Sequence, residues 1–118
     1  MIKNEISKIT AKILINIGAI NFSPQSPFKL SSGFLSPSYI DCRKIIAYPS
    51  AFKEITDMMI DTIKSEMVAQ SPEYIIGGET AGIPFAAAIA EKMGLPLSYV
   101  RKKPKDYGKS KLIEGKIL

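Results

Sequence analysis

The apolar residues at the start of the chain recur at helical spacing. They follow one another at intervals of three and four residues, so they share one face of a helix. This stripe consists of Ile6, Ile9, Ile13 and Ile17. Gly18 comes directly after it and is the residue type that commonly ends a helix. The pattern predicts a helix over residues 3–17, followed by a short extended piece over residues 19–22.

A second helical pattern occupies residues 49–68. Ser50, which follows Pro49, is a suitable capping residue. One face of this helix carries Phe52, Ile55, Met59, Ile63 and Met67. Methionine fills irregular gaps in cores, so this face predicts a buried helix rather than a functional surface.

The segment between these helices reads as two short strands around a glycine turn. Residues 28–30 and 38–44 favour extended structure, and Ser31-Ser32-Gly33 separates them. Gly33 permits a positive φ and a close approach of the backbone to a ligand. Such hairpins are common structural elements, so the pattern alone indicates no function.

A strand, a glycine pair and an apolar helix follow one another over residues 74–93. Thr80 is a candidate cap and Pro84 suits the first helical turn. With the apolar residues 97–100, this predicts a right-handed parallel βαβ unit around a largely buried helix. A strand that leads through glycines into a helix can present backbone N–H groups to an anion. Many α/β proteins have this geometry without binding anything, so the pattern leaves anion binding open.

Composition narrows the class of protein. The 118 residues suit one domain, and 46% of them are hydrophobic. No apolar run is long enough to span a membrane and the first residues lack a secretory apolar core, so we expect a cytoplasmic protein. Cys42, the single cysteine, is expected to be a buried apolar residue. The absence of histidine excludes a Ser-His-Asp triad and the common histidine zinc sites.

Much of the net charge of +5 is concentrated in residues 101–111. These eleven residues contain six cations, and Asp106 is the one anion among them. Pro104 and Gly108 interrupt regular structure, which predicts a loop between strand 97–100 and another strand beginning near Lys116. A basic loop suits a polyanionic ligand, although a solvated charge run is the common alternative.

The sequence of this loop resembles a motif of a known family. Tyr-Val-Arg-Lys-x-x-Lys-x-aromatic-Gly followed by Leu-Ile-Glu-Gly is similar to the catalytic loop of the orotate phosphoribosyltransferase family. The resemblance implies that Arg101, Lys102 and Lys105 contact the diphosphate of 5-phosphoribosyl 1-diphosphate, with Lys105 as the main catalytic lysine. Tyr107 stands where many members have a histidine and is included among the substrate-binding residues.

Two further motifs resemble the same family. Phe-x-Leu-Ser-Ser-Gly-x-x-Ser-Pro-x-Tyr-x-Asp-x-Arg is similar to its amino-terminal signature, a hood over orotate. This implies that Tyr39 and Ile40 flank the base, and that the backbone near Ser31 and Ser32 faces its polar edge. Gly-Gly-Glu-Thr-Ala-Gly-Ile-Pro resembles the family's diphosphate loop. Its implied backbone donors are Glu79, Thr80, Ala81 and Gly82.

The family implies an α/β fold of the type I phosphoribosyltransferases, a parallel sheet flanked by helices with an N-terminal hood. It implies transfer of ribosyl phosphate to orotate in pyrimidine biosynthesis, Mg²⁺ bound with the diphosphate, and no metal site made by the protein alone. A homodimer with the 101–111 loop acting across the interface is expected, with no membrane or nucleic-acid partner.

The family's acidic ribose-phosphate motif has no counterpart here, since no Asp-Asp or Glu-Asp pair occurs. We therefore expect a hood segment, 1–45, and a core, 46–118, that is truncated before the ribose-phosphate loop and is inactive alone. Two alternatives stay open: a non-catalytic remnant or split half of the enzyme, and a basic nucleic-acid-binding module.

Overall fold

A computed structural model of the chain describes residues 2–104 and 112–117. The chain divides into two compact units, Met1–Ile55 and Thr56–Leu118. Helix α2 (Pro49–Glu66) runs through the boundary between them. No helix of the described residues is long and apolar enough to cross a membrane. The expected boundary between 45 and 46 stays a prediction.

The first unit begins with helix α1 (Lys3–Asn16), close to the predicted limits. Gly18 follows with a φ of 72°, which explains why the helix ends here. Strand β1 (Ile20–Phe22) then pairs antiparallel with β4 (Ser38–Ile40). The Asp41 N–H extends this pairing by donating to the Ala19 carbonyl over 2.8 Å. Ala19, directly before β1, is completely buried and belongs to the core.

A second antiparallel pair forms the hairpin of the first unit. Strand β2 (Phe28–Lys29) pairs with β3 (Leu35–Ser36), so the partner is a strand that the sequence did not predict. Gly33 lies in the turn with a φ of 92°, as expected for the glycine there.

The predicted strand over residues 38–44 is wrong beyond Ile40, because Cys42–Ala47 forms a 3₁₀ helix. The Asp41 carboxylate accepts the Arg43 N–H at its start, and this capping contact favours a turn over an extended chain. The expected burial of Cys42 is also wrong: the residue is exposed at the first position of this helix, whereas Ile45 packs inward.

Helix α2 begins at Pro49, so Ser50 lies inside the helix and the predicted cap is wrong. Proline at the first position loses no hydrogen bond, because that N–H has no helical partner. The buried face is shifted from the predicted stripe and contains Ala51, Ile55, Thr56, Met58 and Ile60. Met59 is exposed; with Ile63 and residues of β5 and α3 it lines an apolar cavity of about 420 Å³.

The second unit contains the predicted βαβ unit. Strand β5 (Ile75–Gly78) and strand β6 (Leu97–Val100) are parallel and are joined by helix α3 (Gly82–Met93). Gly94, with a φ of 66°, follows the last residue of α3. Strand β7 (Ile113–Glu114) pairs antiparallel with β6. It comes earlier than the strand predicted near Lys116, because Ile113 and Glu114 are the residues that pair with Val100 and Tyr99.

Candidate functional site

The turn between β5 and α3 is shaped by a close backbone approach. A Cβ atom on Gly77 would lie 2.8 Å from the Ala86 Cβ atom and 3.1 Å from the Gly82 carbonyl oxygen. Only glycine therefore lets the end of β5 pack this tightly against the start of α3. The glycine at position 77 is thus explained by packing of the strand against the helix.

The N-terminus of α3 has no side-chain cap. Ala81 occupies the capping position, so the predicted cap by Thr80 is wrong. Pro84 lies in the first turn, as expected, and offers no N–H. An uncapped helix start leaves backbone N–H groups and the positive end of the helix dipole facing outward, which suits an anion.

Glu79 differs from the other predicted backbone donors. Its N–H donates to the Val100 carbonyl over 2.8 Å, so this amide is part of the sheet. The Glu79–Thr80 peptide bond is cis. The prediction of backbone donors to an anion therefore rests on Thr80, Ala81 and Gly82.

Arg101 lies directly after β6, beside this turn. Its Nε donates to Glu114 Oε2 over 2.7 Å, and its Nη1 is 3.7 Å from Glu79 Oε1. The guanidinium carbon is 5.8 Å from the centre of the Tyr99 ring. The hydrogen bond to Glu114 is the main reason that the pKa of Arg101 is raised above its usual value. The structure thus holds a permanent cation where β5 and β6 both end.

The resemblance implied two further cations in this loop, Lys102 and Lys105. Lys102 is exposed next to Arg101. Lys105 and Tyr107 lie outside the described residues. The Arg101 N–H donates to the Leu112 carbonyl over 2.6 Å, so these two residues are neighbours in the fold.

The hood residues lie in the first unit. The Tyr39 ring packs against the Phe28 ring, with centroids 5.8 Å apart and planes tilted by 37°. The Tyr39 hydroxyl is 3.5 Å from Arg43 Nη2, and Arg43 Nε donates to Asp41 Oδ1 over 2.9 Å. This hydrogen bond is the main cause of a lowered pKa at Asp41 and a raised pKa at Arg43. The hood thus combines an aromatic surface with an oriented guanidinium.

Ile40 does not share a face with Tyr39. The two are consecutive in β4, and neighbouring side chains in a strand point to opposite faces. The structure therefore does not bring both against one side of a ligand. Ser31 and Ser32 lie exposed in the turn, where the Ser32 hydroxyl accepts the Phe34 N–H at 3.4 Å.

Sequence reasoning missed the side-chain contacts of five residues in these clusters. The Glu79 carboxylate and Glu114 contact Arg101, while Phe28 and the Asp41–Arg43 pair support Tyr39. Glu114 stood in the Leu-Ile-Glu-Gly motif and Asp41 and Arg43 in the hood motif, but neither motif showed which cation faces which acid. No group of three or more His, Cys, Asp or Glu residues in the described part of the chain could hold a metal ion.

No family model matches the chain, but individual proteins and solved structures are similar to it. Orotate phosphoribosyltransferase of Cereibacter sphaeroides is 51% identical over 113 residues, covering 96% of this chain and 49% of the relative. The enzyme of the same name from Sinorhizobium medicae is 48% identical over 113 residues, with the same coverage. The chain spans about half the length of these curated relatives.

Solved structures agree with this similarity. The orotate phosphoribosyltransferase of Aeropyrum pernix is 33% identical, with a TM-score of 0.66 over 78% of this chain and 52% of that one. An adenine phosphoribosyltransferase with 22% identity and a TM-score of 0.62 shares the fold. The expected α/β fold of the type I phosphoribosyltransferases is confirmed. Over nearly its whole length the chain is similar to orotate phosphoribosyltransferases, and it spans about half of their length.

Proposed function

We propose that this chain carries the hood and the diphosphate-binding elements of an orotate phosphoribosyltransferase. The reaction joins orotate, through N1, to the ribosyl phosphate of 5-phosphoribosyl 1-diphosphate and releases diphosphate. The observation that carries the proposal is the 51% identity across 96% of the chain to an enzyme of that name. The arrangement of Arg101 beside the uncapped start of α3 supports it.

The chemistry of this reaction is mainly a problem of charge. The departing diphosphate gains negative charge as its bond to the ribose C1 loosens, while the ribose ring becomes cationic. Arg101, Lys102 and Lys105 would neutralise the leaving group together with the amides of residues 80–82. No covalent nucleophile is required, which agrees with a sequence without histidine.

Tyr39 is the residue that we propose to cover the face of the orotate ring. Its packing on Phe28 holds the ring in place, which limits the entropy lost when a planar base stacks on it. We assign Ser31 and Ser32, through their backbone, to the polar edge of the base, and Ile40 to the rim of the same site.

Mg²⁺ is proposed as the metal of the reaction, arriving with the diphosphate. Mg²⁺ retains several waters and is often bound through substrate phosphates rather than by an all-protein cage. Bound in this way, Mg²⁺ would withdraw charge from the leaving group. Removing divalent cations with EDTA is expected to abolish turnover.

A cytoplasmic homodimer is the proposed assembly, with the 101–111 loop acting across the interface. Exposed apolar side chains in the first unit support association: Phe22, Phe34 and Leu35 are 71%, 75% and 66% exposed. Sedimentation at micromolar concentration is expected to give twice the mass of the complete polypeptide. A clean monomer would contradict the dimer.

Base preference tests the proposed function. The complete natural polypeptide that carries this sequence is incubated with 5-phosphoribosyl 1-diphosphate, Mg²⁺ and either orotate or adenine. We expect orotate to be consumed with release of one diphosphate per base, and adenine to remain. Tyr39→Leu is expected to raise the KM for orotate, whereas Tyr48→Leu, a matched change at another exposed tyrosine, is expected to leave it unchanged. Consumption of adenine in place of orotate would overturn the assignment.

A second candidate is a non-catalytic remnant or split half of the enzyme. The chain spans 49% of the length of the relative from Cereibacter sphaeroides, and no two acidic residues are adjacent in its sequence. The 118-residue chain assayed alone distinguishes the candidates. Orotate turnover by that chain would contradict the remnant, whereas turnover only after addition of a second polypeptide would support a split enzyme.

A further inference from the structure

Arg101 stands between two carboxylates that differ in how tightly they hold it. Glu114 Oε2 accepts from Nε at 2.7 Å, whereas Glu79 Oε1 lies 3.7 Å from Nη1. The first contact is a short charge-assisted hydrogen bond, and the second is an ion pair beyond hydrogen-bonding distance. The three side chains are shielded from water to similar degrees, with exposures of 29%, 18% and 28% for Arg101, Glu114 and Glu79.

Glu114 is fixed by its backbone. It pairs with Tyr99 in the β6–β7 ladder. The Arg101 N–H donates to the carbonyl of Leu112, which directly precedes β7. Gly115, with a φ of 102°, follows at a point where a Cβ would lie 2.8 Å from Ser98 Oγ. Because the sheet and this glycine fix the main chain, the Glu114 side chain starts from a defined position, and its carboxylate accepts from one edge of the guanidinium.

Glu79 has a different environment. It follows β5 and begins the turn whose amides at residues 80–82 are the candidate anion donors. An anion bound there would approach the Nη side of Arg101 that faces the Glu79 carboxylate. Since that contact is long, a diphosphate with several charges can replace the carboxylate while the Nε–Glu114 hydrogen bond stays intact.

We infer that Glu114 is a positioning residue for Arg101 and that Glu79 is a placeholder which the diphosphate displaces. This inference rests on the proposed function. It gives the two carboxylates opposite effects on diphosphate affinity. Loss of Glu79 removes a competitor and a repulsive charge, whereas loss of the Glu114 acceptor leaves the guanidinium unoriented.

Titration of the chain with inorganic diphosphate and Mg²⁺ measures these effects. Glu79→Gln is expected to bind about two- to fivefold more tightly, the scale of a partly exposed ion pair. Glu114→Ala is expected to bind about tenfold more weakly, the scale of one charge-assisted hydrogen bond. Glu114→Gln keeps an oxygen acceptor for Nε and is expected to stay within about twofold of the parent protein.

Two control experiments distinguish the positioning of Arg101 by Glu114 from a general effect of negative charge on diphosphate affinity. Glu91→Gln removes one negative charge from an exposed position of α3 and is expected to leave the affinity unchanged. Arg101→Gln with Glu114→Ala is expected to bind no more weakly than Arg101→Gln alone, because Glu114 acts through Arg101. Tighter binding by Glu114→Ala would show that the carboxylate acts only through its charge and would overturn its positioning role.

The NMR signal of the Arg101 Nε–H group tests whether Glu114 orients Arg101 when no diphosphate is present. We expect a slowly exchanging, shifted signal in the parent protein and in Glu79→Gln, lost in Glu114→Ala. A signal that survives Glu114→Ala overturns the positioning role of Glu114 but leaves the proposed function intact. A signal that behaves as expected, with no diphosphate binding by the parent protein, overturns the proposed function and the placeholder role of Glu79.

Discussion

A Cβ atom added to Gly77 would lie 2.8 Å from the Cβ atom of Ala86, closer than carbon atoms pack in folded proteins. This relationship joins the end of β5 to α3 and shapes the turn that is assigned to the diphosphate. Gly77→Ala is therefore expected to lower the free energy of unfolding by about 1–3 kcal/mol, the usual cost of overpacking a core. Urea unfolding measures the change.

Gly78→Ala is the matched control for this prediction. A Cβ atom there would meet nothing within 4 Å, so the same chemical change should leave stability nearly unaltered. Equal losses in the two variants would mean that strand propensity, rather than the contact with Ala86, governs this turn.

Ser98 carries a buried hydroxyl with no hydrogen-bond partner among the described residues. It is 1% exposed and lies on the central strand of the three-stranded sheet. Because an unsatisfied buried polar group is destabilising, Ser98→Ala is expected to raise the free energy of unfolding by up to about 1 kcal/mol. Ser65→Ala, at an exposed site, should change it little. A loss above about 1 kcal/mol in Ser98→Ala would indicate a partner for the hydroxyl.

Acid stability should depend on Asp41. Its pKa is lowered in the folded protein, mainly by the hydrogen bond from Arg43, from an unfolded value near 3.8. The unfolded chain therefore binds the proton more readily, and the stabilisation is complete above this unfolded value and lost as the pH falls through the folded one. The difference in Tm between the parent protein and Asp41→Asn should shrink as the pH falls from about 4 to about 2. A difference that stays constant over this range would contradict the contribution of the ion pair.

The regular elements were accessible from the sequence because they depend on local patterns. The isoleucine stripe placed α1, and the residues around Gly77 and Gly94 placed the βαβ unit, since spacing and glycine act over a few residues. The 3₁₀ helix after Asp41 was missed because its side-chain cap competes with an extended chain, a choice that strand propensity does not register.

The charge arrangement around Arg101 could not be predicted in the same way. Glu79, Arg101 and Glu114 are far apart in the chain, and strand pairing alone decides that they meet. The motif resemblance implied that Arg101 contacts the diphosphate, but it gave no role to the carboxylate of either acid. Burial of α2 was misplaced because the helix turns a face containing Thr56 and Met58 inward, and helical spacing does not choose between neighbouring faces.

The most direct test of the proposed function compares the effects of a substitution at Lys105 on turnover and on orotate binding. In the complete natural polypeptide, Lys105→Ala is expected to lower kcat by a factor on the order of 10² to 10³, because it removes a cation that stabilises the departing diphosphate. The Kd for orotate should stay within about twofold, since the base binds elsewhere, and Lys103→Ala serves as the matched loop control. Equal losses of turnover and orotate affinity, or unchanged turnover, would contradict the assignment of this basic loop to the leaving group.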